Sequence, residues 1–266
     1  MLLKRWSSKV FFTGAGGQIG AELIKVAQEK YGDENVLATD LKDPSPLWKI
    51  TTLFDRLDVT DSSNVQKLVS SFKPNIIYHL ASTLSAPSEL NPQLALKVNL
   101  TGLHNILEQA RICDAKIFAA SSIASYGATT PKIPSDIEIQ RPSTIYGITK
   151  VHLELMGEYY NSKHGVDFRC LRVPIVTSEA MPGGGSAAFT VTIFYDLLKT
   201  GRCVIPVSRD ARMPIIYLPD LIRAIQEFMN ADNKNLHLRT YTMASAGTSV
   251  GEYADEVLKH ANLYDC

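Results

Sequence analysis

The stretch TGAGGQIG runs from Thr13 to Gly20 and repeats glycine at every third position, at Gly14, Gly17 and Gly20. The apolar run KVFFTG that leads into it predicts a buried strand, and GQIGAELIKVAQEKYG predicts a helix with one apolar face. Glycine permits positive φ in such a turn and lets the backbone approach a pyrophosphate closely. The amides of Gln18 and Ile19 would open the helix, whose N-terminus favours an anion. A strand, a glycine turn and a helix in this order predict a dinucleotide site, the alternative being a turn selected only for packing.

The alternation of apolar runs and amphipathic segments continues along the chain. NVLATD, NIIYHLAS and AKIFAASS predict buried strands, whereas SSNVQKLVSSF and NPQLALKVNLTGLHNILEQARIC predict helices. Continuously apolar strands separated by helices indicate a parallel sheet that is covered on both faces. Because crossovers are right-handed, we predict an α/β fold with a doubly wound parallel sheet of the Rossmann type. We expect a dinucleotide-binding domain over residues 1–174 and a smaller C-terminal substrate-binding lobe over residues 175–266, intertwined in one structural unit.

Composition and charge narrow the classes of partner. The chain has 266 residues, of which 45% are apolar, and its 27 basic residues balance 27 acidic ones. We therefore expect neither nucleic acid nor an anionic membrane as a partner, and no apolar run approaches the roughly 20 residues of a membrane helix. The cysteines are far apart and form no Cys-x-x-Cys pair: Cys113, Cys170, Cys203 and Cys266. The six histidines lack metal-ligand spacing, so we expect no metal. We expect the cysteines to be reduced thiols, as in an intracellular compartment.

Asp40 ends the second predicted strand, about 20 residues beyond the glycine turn, where a carboxylate binds the hydroxyls of the adenosine ribose. It would repel a 2′-phosphate at close range, so NAD is favoured over NADP. Leu41 and Lys42 follow it and belong to the same predicted site, although the charge of Lys42 works against this preference. Asp58 and Val59, beyond the third strand, are expected at the adenine amino group and the adenine face. A turn that caps a helix is the alternative for Asp58.

A second predicted site contains Tyr146 and Lys150 in TIYGITK, which are four residues apart and therefore neighbours on one helix face. Ser122 closes the strand AKIFAASS, at the carboxyl end of the sheet where ligands bind in doubly wound folds. The helix of Tyr146 follows the loop after that strand and should return past the same edge. In isolation, a tyrosine and a lysine on the surface would be the simpler interpretation. Together with Ser122 and the glycine turn, they predict a reaction centre.

The chemistry of alcohol oxidation explains why these residue types would occur together. A base must take the hydroxyl proton while hydride leaves the carbon, and free tyrosine, with a pKa of about 10, is a poor base at neutral pH. A neighbouring ammonium group and an oxidised nicotinamide stabilise phenolate, and a base works best when its pKa lies near the working pH. We therefore expect Tyr146 to act as the base and Ser122 to hold the substrate oxygen. Lys150 would stabilise the phenolate and bind the nicotinamide ribose.

With these motifs the chain resembles the extended short-chain dehydrogenase/reductase family. The resemblance rests on TGAGGQIG, Asp40, HLAS at residues 79–82, Asn99 in KVNLTG, SSIASYG and YGITK. It implies NAD as the cofactor and Ser122, Tyr146 and Lys150 as the catalytic triad. It also implies that the cofactor runs along Leu80, Ala81 and Asn99.

A narrower resemblance, to the short-chain-type L-threonine 3-dehydrogenases, covers nearly the whole chain. It rests on SAPSELNPQLALKVNLTGLHNILE, TIYGITKVHLELMGEYYNSKHGVDFRCLR, MPGGGSAAFTVTIFYDLLKTGR, MPIIYLPD and LRTYTM. It implies NAD-dependent oxidation of the 3-hydroxyl of L-threonine to 2-amino-3-ketobutyrate, with Val176 against the nicotinamide. The residues implied to bind the amino acid are Ser85, Ser122, Tyr146, Gly184 and Ser186. The resemblance also implies a homodimer that forms through a four-helix bundle. The expected location is the mitochondrial matrix if the protein is eukaryotic, and otherwise the cytoplasm.

Two alternatives stay open. A nucleotide-sugar epimerase or dehydratase shares the front half of the pattern, but it would need basic residues for a second diphosphate. The candidates for that role are Arg202, Arg209 and Arg212. A non-catalytic NAD-binding relative is the other alternative, motivated by the altered substrate loop, where Ser186 and Ala187 replace the family's Thr-Thr.

Overall fold

The main sheet of the protein is parallel throughout. A computed structural model describes residues 8–44, 53–179, 185 and 187–261, and within these residues seven strands lie in the order β3-β2-β1-β4-β5-β6-β9. Every neighbouring pair is parallel, and the first six follow the order of a Rossmann sheet. The strands are β1 (Val10–Thr13), β2 (Val36–Asp40), β3 (Leu53–Arg56), β4 (Ile76–His79), β5 (Lys116–Ser122), β6 (Phe168–Val173) and β9 (Thr240–Thr242). The predicted doubly wound fold is confirmed.

Helices cover both faces of this sheet, and strands such as β1 are therefore buried along their whole length. One apolar cluster joins α1 and α8 to one face, and a second joins α2, α5 and α6 to the other. The helices are α1 (Gln18–Tyr31), α2 (Ser62–Phe72), α3 (Ser85–Leu90), α4 (Pro92–Leu96), α5 (Leu103–Cys113), α6 (Ile145–His164), α7 (Phe189–Thr200), α8 (Leu218–Asn230) and α9 (Val250–His260). A π-helical stretch, Lys97–Gly102, joins α4 to α5. Among the described helices, none combines the length and the apolar character that a membrane crossing requires.

A smaller sheet lies in the C-terminal part of the chain. Its strands are β7 (Ile175–Thr177), β8 (Arg212–Tyr217) and β10 (Ala246–Ser249), with β8 between the other two. Helices α7 and α9 share an apolar cluster beside it. By contrast, α8 packs on the main sheet and β9 pairs with β6, although both come from residues 175–266. The division into two domains at residues 174 and 175 stays a prediction.

Candidate active site

A cleft of about 810 Å³ opens at the carboxyl ends of the main-sheet strands, where doubly wound folds bind ligands. Most of the residues predicted for the site line it: Gly14, Gly17, Gln18, Ile19, Gly20, Asp40, Leu41, Asp58, Val59, Leu80, Ala81, Ser85, Ser122, Tyr146, Lys150 and Val176. Lys42 and Asn99 are described but do not line the cleft. Gly184 and Ser186 lie outside the described residues. The structure therefore brings both predicted centres, the glycine turn and the Ser-Tyr-Lys set, to one cleft.

The three glycines of the turn have different physical roles. Gly14 adopts φ of +67°, and a Cβ there would lie 2.5 Å from the backbone nitrogen of Ala81. A Cβ at Gly20 would lie 2.6 Å from the carbonyl oxygen of Gly14, so packing against the turn requires glycine at that position. Gly17 differs, because a Cβ there would meet only the Gly14 oxygen, at 3.4 Å. Packing alone does not account for Gly17, whereas a ligand close to the backbone would, and Gly17 lines the cleft.

The two acidic residues predicted at the adenosine end both line the cleft. Oδ2 of Asp40 accepts a hydrogen bond from the backbone N–H of Gly16 at 2.9 Å, and Oδ1 accepts one from Lys42 N–H at 3.1 Å. These bonds fix the carboxylate beside the glycine turn. Asp58 accepts from Thr60 N–H at 2.9 Å, but the residue that caps α2 is Asp61. Helix capping therefore does not account for Asp58.

The Ser-Tyr-Lys set comes from two elements that meet at the edge of the sheet. Ser122 is the last residue of β5, and its side chain accepts a hydrogen bond from Ala124 N–H at 3.1 Å. Tyr146 lies in the first turn of α6, which is capped by Thr144. Nζ of Lys150 lies 5.3 Å from the centroid of the Tyr146 ring and donates to the carbonyl oxygen of Ala120 at 2.8 Å. Since Lys150 is only 5% exposed, its ammonium group is held beside the phenol with little competition from solvent.

Asn99 lies behind the cleft wall. Its Oδ1 accepts a hydrogen bond from the backbone N–H of Thr83 at 2.8 Å, and its Nδ2 donates to Oγ1 of Thr149 at 3.0 Å. The first contact holds the segment after β4, and the second holds α6 one residue before Lys150. Asn99 lies in the π-helical stretch, and such local widening of a helix is frequent at functional sites.

Two side-chain contacts near the cleft were not predicted from the sequence. Glu154, one turn after Lys150, is almost fully buried and forms an ion pair with buried Arg172, with Nη2 to Oε2 at 2.8 Å. Ser121 and Gln140 also donate to its carboxylate. The only sequence signal was a glutamate on the helix face of Lys150, and it did not name a partner.

The second contact joins the glycine turn to the segment that precedes the predicted substrate loop. Nε2 of Gln18 donates to Oγ of Ser178 at 2.5 Å, across 160 positions of sequence. Ser178 is the residue after β7 and is 8% exposed. The sequence predicted only a backbone role for Gln18, at the start of α1.

A buried histidine lies next to residues that line the cleft. His79, the last residue of β4, is 3% exposed, and its Nδ1 lies 2.8 Å from the hydroxyl of Thr13. Burial, together with the positive charge of Lys150, lowers the pKa of His79 to about 3. The imidazole is therefore neutral in the folded protein at neutral and mildly acidic pH.

This burial should make folding stability depend on pH. Below about pH 6.5 the unfolded chain protonates His79 whereas the folded protein does not, so His79 favours unfolding by up to about 1.4 kcal/mol per further unit of pH, until about pH 3. Urea unfolding between pH 7 and pH 5 measures this slope. The variant His79→Asn should show a shallower slope, whatever its stability at pH 7. Equal slopes for the two proteins would contradict the assignment.

Comparison with known proteins identifies the family of this chain. The model of the NAD dependent epimerase/dehydratase family matches residues 10–244. The mitochondrial L-threonine 3-dehydrogenase of Bos taurus is 39% identical over 254 residues, which are 95% of this chain and 68% of that protein. An uncharacterized epimerase/dehydratase of Staphylococcus saprophyticus is 38% identical over 254 residues, covering 94% of this chain and 79% of that protein.

A solved structure of an L-threonine dehydrogenase is also similar to this chain. The crystal structure of L-threonine dehydrogenase from Phytophthora infestans has a TM-score of 0.91 and 40% identity, over 97% of this chain and 84% of that chain. These matches confirm the resemblance to the extended short-chain dehydrogenases and to the L-threonine 3-dehydrogenases among them. The chain belongs to the NAD dependent epimerase/dehydratase family.

Proposed function

We propose that the protein oxidises the 3-hydroxyl of L-threonine to 2-amino-3-ketobutyrate with NAD. The observation that carries the proposal is that Ser122, Tyr146 and Lys150 line the same cleft as the glycine turn. The similarity to L-threonine 3-dehydrogenases over 95% of the chain supports the choice of substrate.

Each residue of the set has a role in this reaction. The phenolate of Tyr146 takes the proton of the substrate hydroxyl, and the nearby ammonium group of Lys150 stabilises the negative charge on that phenolate. Ser122 donates a hydrogen bond to the substrate oxygen and keeps it in reach of Tyr146. When bound, NAD supplies the acceptor for the hydride that leaves the 3-carbon. Because Asp40 would bind the ribose hydroxyls and repel a 2′-phosphate, NAD rather than NADP is the proposed cofactor.

The described lining of the cleft is mostly apolar, with a few hydroxyl groups among the apolar side chains. Ser85 and Ser122 line the cleft beside Val176, and Lys150 is the only cationic side chain among the described lining residues. Hydroxyl groups and backbone amides would therefore bind the amino acid, including those of Gly184 and Ser186, and Val176 would pack on the nicotinamide.

The alternative substrates fit the cleft less well. A nucleotide sugar needs cations for its diphosphate, but none of the three candidate arginines lines the cleft. Arg209 pairs with Asp255 at 2.7 Å and Arg212 with Glu252 at 3.4 Å, both at the exposed surface. Arg202 is also exposed. The intact Ser-Tyr-Lys set argues against a non-catalytic NAD-binding protein.

We also propose a homodimer through α5 and α6. Ile112 of α5 is 56% exposed, and Ile148 and Leu155 of α6 are 49% and 59% exposed. The spacing of seven residues between Ile148 and Leu155 places them on one face of α6. Pairing of these two helices with those of a second copy would form a four-helix bundle and cover this apolar surface.

The substrate proposal is tested by following NADH formation with the purified protein, NAD and L-threonine. We expect NADH with L-threonine and none with UDP-sugars, because the described lining residues offer no cation besides Lys150 for a second diphosphate. Conversion of a UDP-sugar alone would favour the epimerase or dehydratase. Calorimetric binding of NAD without oxidation of any hydroxy amino acid would favour the non-catalytic alternative.

A further inference from the structure

Four charged residues gather where β2 and β3 end: Asp40, Lys42, Asp43 and Arg56. Asp40 and Arg56 are register partners on the two strands. Two residues earlier, Ala38 pairs with Phe54, and both belong to the apolar cluster on the α1 face. Since side chains alternate between the faces of a strand, Asp40 and Arg56 also project toward the α1 face. Neighbouring strands are about 4.8 Å apart, so Arg56 starts next to the carboxylate proposed for the ribose.

The guanidinium of Arg56 is held by Asp43. Its Nε donates to Oδ1 of Asp43 at 2.6 Å, and its Nη2 donates to Oδ2 of the same carboxylate. Both members of this ion pair are exposed: 67% of the Arg56 side chain and 62% of the Asp43 side chain are accessible to solvent. An exposed pair of this kind contributes little to stability. The pair has a larger effect on which ligand Arg56 can bind. A bidentate hydrogen bond from arginine to a carboxylate uses the same N–H donors as a bidentate hydrogen bond to a phosphate.

We infer that Asp43 is a specificity residue that keeps Arg56 from binding a 2′-phosphate at the adenosine ribose, and so disfavours NADP. The inference rests on the proposed function, because it assumes that Asp40 binds the ribose of NAD. A 2′-phosphate next to Asp40 would face that carboxylate, and the neighbouring guanidinium of Arg56 would already be occupied by Asp43. NAD carries no such group, so neither Asp43 nor Arg56 affects its binding. Asp40 repels the phosphate directly, whereas Asp43 acts by withholding a cation.

The test measures the dissociation constants of NAD and NADP by calorimetry for the unmodified protein and for Asp43→Asn. Releasing the guanidinium of Arg56 near a doubly charged phosphate should tighten NADP binding about fivefold to tenfold at low salt. NAD binding should stay within about twofold, because its ribose hydroxyls are uncharged. The gain for NADP should shrink as salt is added, since the pair is exposed.

A double-variant cycle separates Arg56 from a general change in charge. In the Arg56→Gln background, Asp43→Asn should tighten NADP binding by less than about twofold. The matched control is Asp55→Asn, which makes the same charge change at an exposed residue of β3 on the opposite face. It should leave the NADP dissociation constant within about twofold.

Two outcomes would contradict the inference, and only the second would also contradict the proposed cofactor site. If NAD binds and Asp43→Asn gives equal NADP gains with and without Arg56, the role of Asp43 is wrong and the cofactor site stands. If the unmodified protein binds no NAD, the proposed cofactor site and this inference are both wrong.

Discussion

Replacement of Tyr146 by phenylalanine should lower kcat for L-threonine by about 10²- to 10⁴-fold, the usual contribution of a positioned general base. The variant loses only the hydroxyl that takes the substrate proton. The ring remains beside Nζ of Lys150, 5.3 Å from it in the unmodified protein. Affinity for NAD should therefore stay within about twofold. Steady-state kinetics and calorimetry with NAD measure the two quantities separately.

The matched control for this variant is Tyr159→Phe on the same helix. Tyr159 is 48% exposed and lies more than three turns from Tyr146, so loss of its hydroxyl should leave kcat unchanged. If Tyr146→Phe keeps kcat within tenfold of the unmodified protein at neutral pH, Tyr146 is not the base.

Replacement of Glu154 by glutamine should lower the free energy of unfolding by about 3–5 kcal/mol. Arg172 is 4% exposed, so without its carboxylate partner a buried charge would keep only neutral acceptors, such as the carbonyl oxygen of Asp136 at 2.8 Å. The same change also weakens the contacts of Ser121 and Gln140 with α6. Urea unfolding at pH 7 measures the loss.

Two further variants check the interpretation of Glu154. Glu227→Gln breaks an ion pair with Arg223 at 3.3 Å that is 66% exposed on both sides, and it should cost less than about 1 kcal/mol. Glu154→Leu combined with Arg172→Met removes both charges and should cost less than Glu154→Gln alone. A loss below about 1 kcal/mol for Glu154→Gln would show that the buried pair does not support the fold as described.

Local patterns in the sequence predicted the parts of the protein that depend on neighbours in sequence. The apolar runs predicted the first strands, and the glycine turn lies where the strand-turn-helix order placed it. Ser122, Tyr146 and Lys150 meet in one cleft because parallel strands end at the same edge.

Contacts between distant segments could not be predicted in this way. The pairing of Glu154 with Arg172 and of Gln18 with Ser178 depends on side-chain geometry across the fold. Asn99 lies in a π-helical stretch, and apolar spacing in the sequence does not reveal such a local change of helix type. The strand β9 has three residues, too few for an alternating pattern to be recognised in the sequence.

This short strand has a consequence for how the molecule unfolds. The β9 strand covers the hydrogen-bonding edge of β6, and α8 buries Leu221 and Ile225 against the face of the main sheet. Residues 175–266 thus contribute buried side chains to the core of residues 1–174. Unfolding of either segment exposes apolar surface on both segments. Because this core is shared, the cleft and the small sheet should be lost together in a single cooperative transition.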